Sequence, residues 1–225
     1  MRGRAFGDIL LALGLLAASG LVAVPVVELF PGSMRVPVLM LVQGVMILLG
    51  LRVLLTLRAQ RWTDIGLERL RGRDAGRGLL AFGVCMVSNL LLTSLLFVLM
   101  PEAVQSHLDG LGALATRFSE GVPAIVLVGL FCFVGVYEEL FARGFLLSRC
   151  RDLIGGAWGP VLLSSCLFGL GHAYQGWIGI AQTSLVGAVL AAFTVRWRTL
   201  WPAIIAHAAL DITSIALLGV AEQEG

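Results

Sequence analysis

The chain has 225 residues, of which 58% are hydrophobic and only 13% charged, with a net charge of +2. A soluble domain of this length carries about 25% charged residues, so the mean hydropathy of +0.94 excludes an ordinary soluble enzyme and points to a polytopic membrane protein. All basic residues are arginine, and no basic tract interleaved with aromatics suggests nucleic acid. Cys85, Cys132, Cys150 and Cys166 stand singly in apolar stretches without metal-ligand or disulfide-framework spacing, so they read as packing residues.

A spanning helix needs about 20 mostly apolar residues, and seven segments qualify, giving an all-α transmembrane bundle of about seven helices. The first covers about 8–29 behind the basic start "MRGR". Its apolar run is long for a cleaved signal, so it reads as a retained helix. The second covers about 35–57 and the third about 78–100. Together they make an N-terminal half over 1–100, with a basic linker at 58–77 holding Arg58, Arg61, Arg69, Arg71, Arg73 and Arg77. Within that linker, "TDIGLERLRGR" offers Thr63 as the N-cap of a short interfacial helix. The stretch 101–121 reads as a polar loop with Arg117 against Glu102, Asp109 and Glu120.

Four further helices fill 120–220: about Val122–Arg149, 157–174, 177–195 and 201–220. Arg2, Arg4, the linker, Arg149, Arg151, Arg196 and Arg198 all fall on one side. That places the N-terminus in the cytoplasm and the C-terminus outside. Trp158, Trp177, Trp197 and Trp201 sit near helix ends, where interfacial tryptophan is enriched.

Ionisable residues inside spans are costly and mark functional sites by default. The fourth helix holds Glu138, Glu139 and Arg143, the fifth His172, and the seventh His207 and Asp211. Glu139 and Arg143 are four apart and can pair on one face, whereas Glu138 points about 100° away. Glu138 is therefore the carboxylate without a local cation, which suits a general base; the plain alternative is that both glutamates only pair helices. Four residues separate Phe168 from His172, and four separate His207 from Asp211. Taken singly, His172 reads as a hydrogen-bonded packing residue, and His207 with Asp211 as a self-satisfied polar pair. Taken together with Glu138, they form a constellation for activating water. The same Glu138, His172 and His207 could ligate zinc, although no H-E-x-x-H spacing supports a metal, and no cofactor is the simpler expectation. Neither a G-x-S-x-G context around Ser164 and Ser165 nor a phosphate-binding glycine loop is present.

"EELFAR", "FGLGH" and "HAALD" resemble, in order, the E-E-x-x-x-R, F-x-x-x-H and H-x-x-x-N/D motifs of the CPBP family, the CAAX proteases and bacteriocin-processing proteins. The resemblance covers about 120–220 and implies an intramembrane endopeptidase. It implies that Glu138 and His172 activate the attacking water, that His207 and Asp211 stabilise the oxyanion or complete the site, and that Glu139, Arg143 and Phe168 support it. The implied partner is a membrane-associated peptide or protein, cut at a C-terminal tail or a leader peptide, in the lipid bilayer; the absence of lysine beside abundant Gly, Ala, Leu and Arg points to a GC-rich bacterial genome and so to a bacterial inner membrane. Better-known members carry Asn at the last position, whose amide donates; an ionised Asp only accepts. Asp211 is therefore expected to orient His207. Two other classes stand beside this reading: a non-catalytic immunity or scaffold protein, and a proton-coupled transporter, which would favour internal repeats that the sequence does not show. Simple counting also leaves His172 on the order of 10 Å from the depth of Glu138 and His207, at about 1.5 Å per residue. The fold must close that gap if the three side chains are to meet.

Overall fold

A computed structural model describes residues 2–221, and every regular element among them is helical. Six helices are long and apolar enough to cross a membrane: Arg2–Val27, Gly32–Leu57, Gly72–Leu99, Ala124–Ile154, Ala173–Trp197 and Trp201–Leu218. We call the first three α1 (Arg2–Val27), α2 (Gly32–Leu57) and α3 (Gly72–Leu99). The fourth long helix is interrupted. It runs as α5 (Ala124–Glu139), a π-helical stretch (Leu140–Leu146) and α6 (Leu147–Ile154). The last two are α8 (Gly176–Trp197) and α9 (Trp201–Ala221).

Three sequence expectations change. The stretch 101–121 is not a loop but a helix, α4 (Pro101–Ser119), opened by Pro101 at its first position, where the missing N–H is harmless. It turns Val104 and Ala115 inward. The fifth apolar segment, expected over about 157–174, forms only α7 (Trp158–Gly171), 14 residues or about 21 Å long. That is short of the ~30 Å hydrocarbon core. The linker "TDIGLERLRGR" holds one 3-10 turn, Trp62–Ile65, whose N-cap is Arg61 and not Thr63. The Asp64 carboxylate accepts the Arg61 N–H at 2.8 Å and takes the capping role.

The main core lies where α1, α2 and the α5–α6 helix meet, around Ile47, Leu51, Leu55, Phe145 and Leu146. A second cluster joins α3, α8 and α9 through Cys85, Leu190, Ala203 and Ala206. Large apolar side chains remain exposed along the outer faces, among them Leu21, Leu49, Leu79, Leu90 and Val98, as expected of helices facing lipid rather than water. All four cysteines are free, with Cys85 and Cys150 buried. Two glycines set the geometry of the interior. A Cβ on Gly135 would meet Ile204 O and Ala208 N at 3.2 Å, so α5 rides directly on the α9 backbone. A Cβ on Gly169 would collide with Ile180 O and Ser184, so α7 and α8 are in similar contact.

Candidate active site

The close crossing at Gly135 carries the next turn of α5 against His207 of α9. Glu139 is fully buried there. Its Oε1 accepts from Arg143 Nη1 at 2.7 Å and from His207 Nδ1 at 2.7 Å. The i,i+4 pair expected from the sequence therefore forms, but Glu139 does more than satisfy Arg143: it also holds the ring of His207. The π-helical stretch begins at the residue after Glu139. Such wide turns are rare and concentrate at functional sites.

Glu138 points away from that pair, into a cavity of about 250 Å³ that is also lined by His172, His207, Asp211, Phe168 and Asn89. Its Oε2 lies 3.9 Å from His172 Nε2 and 3.7 Å from His207 Nε2, and among the described residues it has no hydrogen-bond partner. The depth mismatch is thus closed. Because α7 stops at Gly171 and His172 is its C-cap, the histidine lies part-way into the bundle and not at its far end. The cap geometry also fixes its ring, since His172 Nδ1 lies 3.0 Å from the carbonyl of Phe168.

Both tautomers follow from these partners. A carboxylate and a carbonyl only accept, so Nδ1–H donates in each ring and each Nε2 is turned to the cavity. The two Nε2 atoms and one carboxylate oxygen therefore face one another at separations too long for direct hydrogen bonds. A water bound beside them can donate to Glu138 and to Nε2 of a neutral His172. Phe168 packs this cluster together: the Arg143 guanidinium lies 4.2 Å over its ring, and its centroid is 4.7 Å from His172 and 6.2 Å from His207.

Asp211 departs from its expected role. Its Oδ2 is 3.7 Å from His207 Nε2, on the cavity side, whereas the orienting contact on Nδ1 belongs to Glu139. The residue on the next turn of α9 is thus a neighbour of the reacting face and not the ring's anchor. Zinc is held at about 2.0–2.2 Å by nitrogen and carboxylate ligands. Among the described residues no group of three His, Cys, Asp or Glu side chains is arranged to hold a metal ion.

The sequence reading did not single out several residues at this centre. Tyr174 lines both the catalytic cavity and a larger apolar one of about 480 Å³ beside it. Glu138, His172, Phe168 and Phe118 are shared by the two cavities, so Glu138 and His172 stand in the wall between them. The α4 helix covers this region with Leu114 and Phe118. It is tied down by His107, whose Nδ1 lies 3.2 Å from Gln175 O and whose Nε2 lies 2.9 Å from Gln182 Oε1. His107 was passed over because its segment reads as a loop, and Gln182 because an uncharged amide in an apolar helix raises no alarm.

Residues 120–213 match the family described as type II CAAX prenyl endopeptidase, Rce1-like. This covers the three motifs and agrees with the resemblance read from them. Comparison with curated proteins and with solved structures gave no match.

Proposed function

We propose that the protein is an intramembrane endopeptidase that hydrolyses its substrate with a glutamate-activated water, a reading supported by the match of residues 120–213 to the type II CAAX prenyl endopeptidase, Rce1-like, family. One observation carries the reading. Glu138 Oε2 is buried without a hydrogen-bond partner among the described residues, and it faces two imidazole nitrogens across 3.7 and 3.9 Å. A carboxylate and a neutral imidazole converging on one water form a general-base pair.

In this mechanism Glu138 takes a proton from the water as its oxygen attacks the scissile carbonyl, and His172 Nε2 positions that water. His207, held at Nδ1 by Glu139, stabilises the oxyanion from Nε2 as an imidazolium. Protonated Glu138 then donates to the departing amine. Arg143 pairs with Glu139 and holds it in place, and Phe168 fixes the spacing of the three rings and guanidinium.

The substrate is a membrane-associated peptide or protein, cut at a C-terminal tail or a leader peptide. The apolar cavity behind Glu138 suits an apolar group of that substrate, leaving the scissile bond at the polar wall. The reading puts the N-terminus in the cytoplasm of a bacterial inner membrane; the arginine-rich segments support that orientation by the positive-inside rule.

The test is to purify the wild type with Glu138→Ala, His172→Ala and Glu139→Gln variants and follow candidate tail-bearing substrates by gel shift. Cleavage should vanish in the first two. Continued cleavage by Glu138→Ala would sink the mechanism. The reaction is proposed to run without a metal, so activity abolished by a chelator and restored by zinc would replace the water-activating pair with a metal held by Glu138, His172 and His207.

A further inference from the structure

The basic end of the bundle contains a cavity that the proposed reaction does not use. It has a volume of about 240 Å³, and its walls come from the start of α3 and the turn between α8 and α9. Arg69, Arg71, Arg73 and Arg198 line it together with Trp197 and Thr199. Glu68 and Asp74 are the acids in the lining, so four cations face two carboxylates. Asp74 is committed at one oxygen: Oδ2 accepts the Arg71 N–H at 2.9 Å, while Oδ1 makes no hydrogen bond among the described residues and lies 3.5 Å from Arg77 Nη1, which offsets its charge. None of the four lining arginines has an ion pair among the described residues, while Arg58, Arg77, Arg143 and Arg149 all do.

Thr199 supplies the second observation. Its side chain is 7% exposed, and Oγ1 is buried without a hydrogen-bond partner among the described residues. A buried hydroxyl left unpaired is unfavourable, so this atom calls for a ligand. Beside it, Arg198 adopts φ 55°, a left-handed backbone that a side-chain-bearing residue rarely takes, and is held there as the cap of α8 by its N–H to Thr194 O at 2.8 Å.

The cavity also sits where basic and lipid-facing surfaces meet. Leu70, Leu79 and Leu80 are each more than half exposed on the adjoining segment. Trp197 stacks on Phe193 at 4.4 Å and carries the Arg77 guanidinium at 5.4 Å, the amphipathic arrangement of an interfacial aromatic. A planar guanidinium matches a phosphate oxygen pair, and the Thr199 hydroxyl can donate to a third oxygen. We propose that this cavity binds the phosphate of an anionic phospholipid, with the acyl chains running along the exposed leucines of α3.

The test uses the full chain in detergent, with binding read as the rise in unfolding temperature against added lipid. Dioleoylphosphatidylglycerol should stabilise the wild type, and dioleoylphosphatidylcholine, whose ammonium would meet the arginines, should not. Arg69→Gln/Arg73→Gln should weaken the phosphatidylglycerol response roughly twenty-five-fold, at about fivefold per arginine. Thr199→Val should weaken it by a smaller factor. Arg2→Gln/Arg4→Gln, which removes the same charge from the same end of the bundle, should leave it within about twofold. The proposal is overturned if phosphatidylcholine stabilises equally, if the Arg69/Arg73 pair changes nothing, or if the Arg2/Arg4 pair weakens binding as much. An equal shift with inorganic phosphate would assign a free anion and overturn the lipid.

Discussion

Asp8 and Glu139 are 1% and 0% exposed, and each bridges two cationic groups. Asp8 on α1 takes Arg58 Nη2 at 2.5 Å and Arg149 Nε at 3.2 Å, and Arg149 also bonds Gln60. Glu139 on α5 takes Arg143 and His207. By burial and charge the two clusters are alike. They differ in what they leave over. The Asp8 cluster joins α1, the end of α2 and α6, lines neither the catalytic nor the apolar cavity, and holds both carboxylate oxygens against guanidinium groups. The Glu139 cluster fixes a histidine whose other nitrogen faces an unpaired carboxylate across a cavity. A buried charge is therefore not by itself a sign of chemistry. The sign is a charge that stays unpaired because its neighbours are occupied elsewhere.

The comparison breaks first at Glu138. Glu138→Gln keeps the shape and removes the base, so kcat for a cleaved substrate should fall about 10²- to 10⁴-fold. The unfolding temperature should hold or rise, since the unpaired carboxylate stabilises nothing. A large loss of stability would instead place Glu138 with Asp8, as a structural charge. Glu139→Gln should lose both properties. It leaves Arg143 buried without a counter-charge at a cost of about 3 kcal/mol, and it releases His207 from its tautomer, so the folded fraction should also turn over at least tenfold more slowly. Thermal unfolding and specific activity measured on the same preparation separate the two effects.

Asp8→Asn makes the converse case. The buried Arg149 guanidinium keeps only the half-exposed Asp152 as a charge partner, and stability should fall by about 2 kcal/mol, less than for a fully unpaired buried charge. Activity per folded molecule should stay within about twofold, because the cluster joins α1 to α6 and touches no reacting group. If that variant stayed stable but lost turnover, the division between the two clusters would be wrong.

Much of the site is legible in the sequence because helical periodicity sorts neighbours without any tertiary knowledge. Spacing alone separates Glu138 from Glu139, pairs Glu139 with Arg143, and stacks Phe168 under His172. What spacing cannot supply is depth. The end of α7 depends on its packing against α8 at Gly169, and only that packing brings His172 level with Glu138. Nor can spacing choose between two carboxylates for one imidazole. Asp211 is the natural partner of His207 along α9, but the backbone contact of Gly135 with α9 places Glu139 on Nδ1 first. Asp8 was overlooked for a simpler reason: at the very start of an apolar run, a carboxylate looks like part of the solvated flank. The amphipathic α4 was missed because its polar face is read as a loop when no partner surface is in view.

The smallest expected effect is at Asp211, and it separates two roles for that carboxylate. Its side chain is 27% exposed, and Oδ2 stands 3.7 Å from His207 Nε2, the nitrogen that faces the water. If Asp211 acts only by favouring the imidazolium form of His207, Asp211→Asn removes one of the carboxylates near that ring and leaves Glu139 in place. The new amide can also donate to the oxyanion, which an ionised carboxylate cannot. The two changes oppose each other, so kcat/KM should move by less than tenfold, within about 1.4 kcal/mol, with stability unchanged. Asp211→Ala, which loses the charge without gaining a donor, should be the slower of the two. A hundred-fold loss in Asp211→Asn would make Asp211 the proton acceptor. Glu138 would then be the residue that only orients, and the pairing of Glu138 with the two histidines would no longer distinguish the centre from the Asp8 cluster.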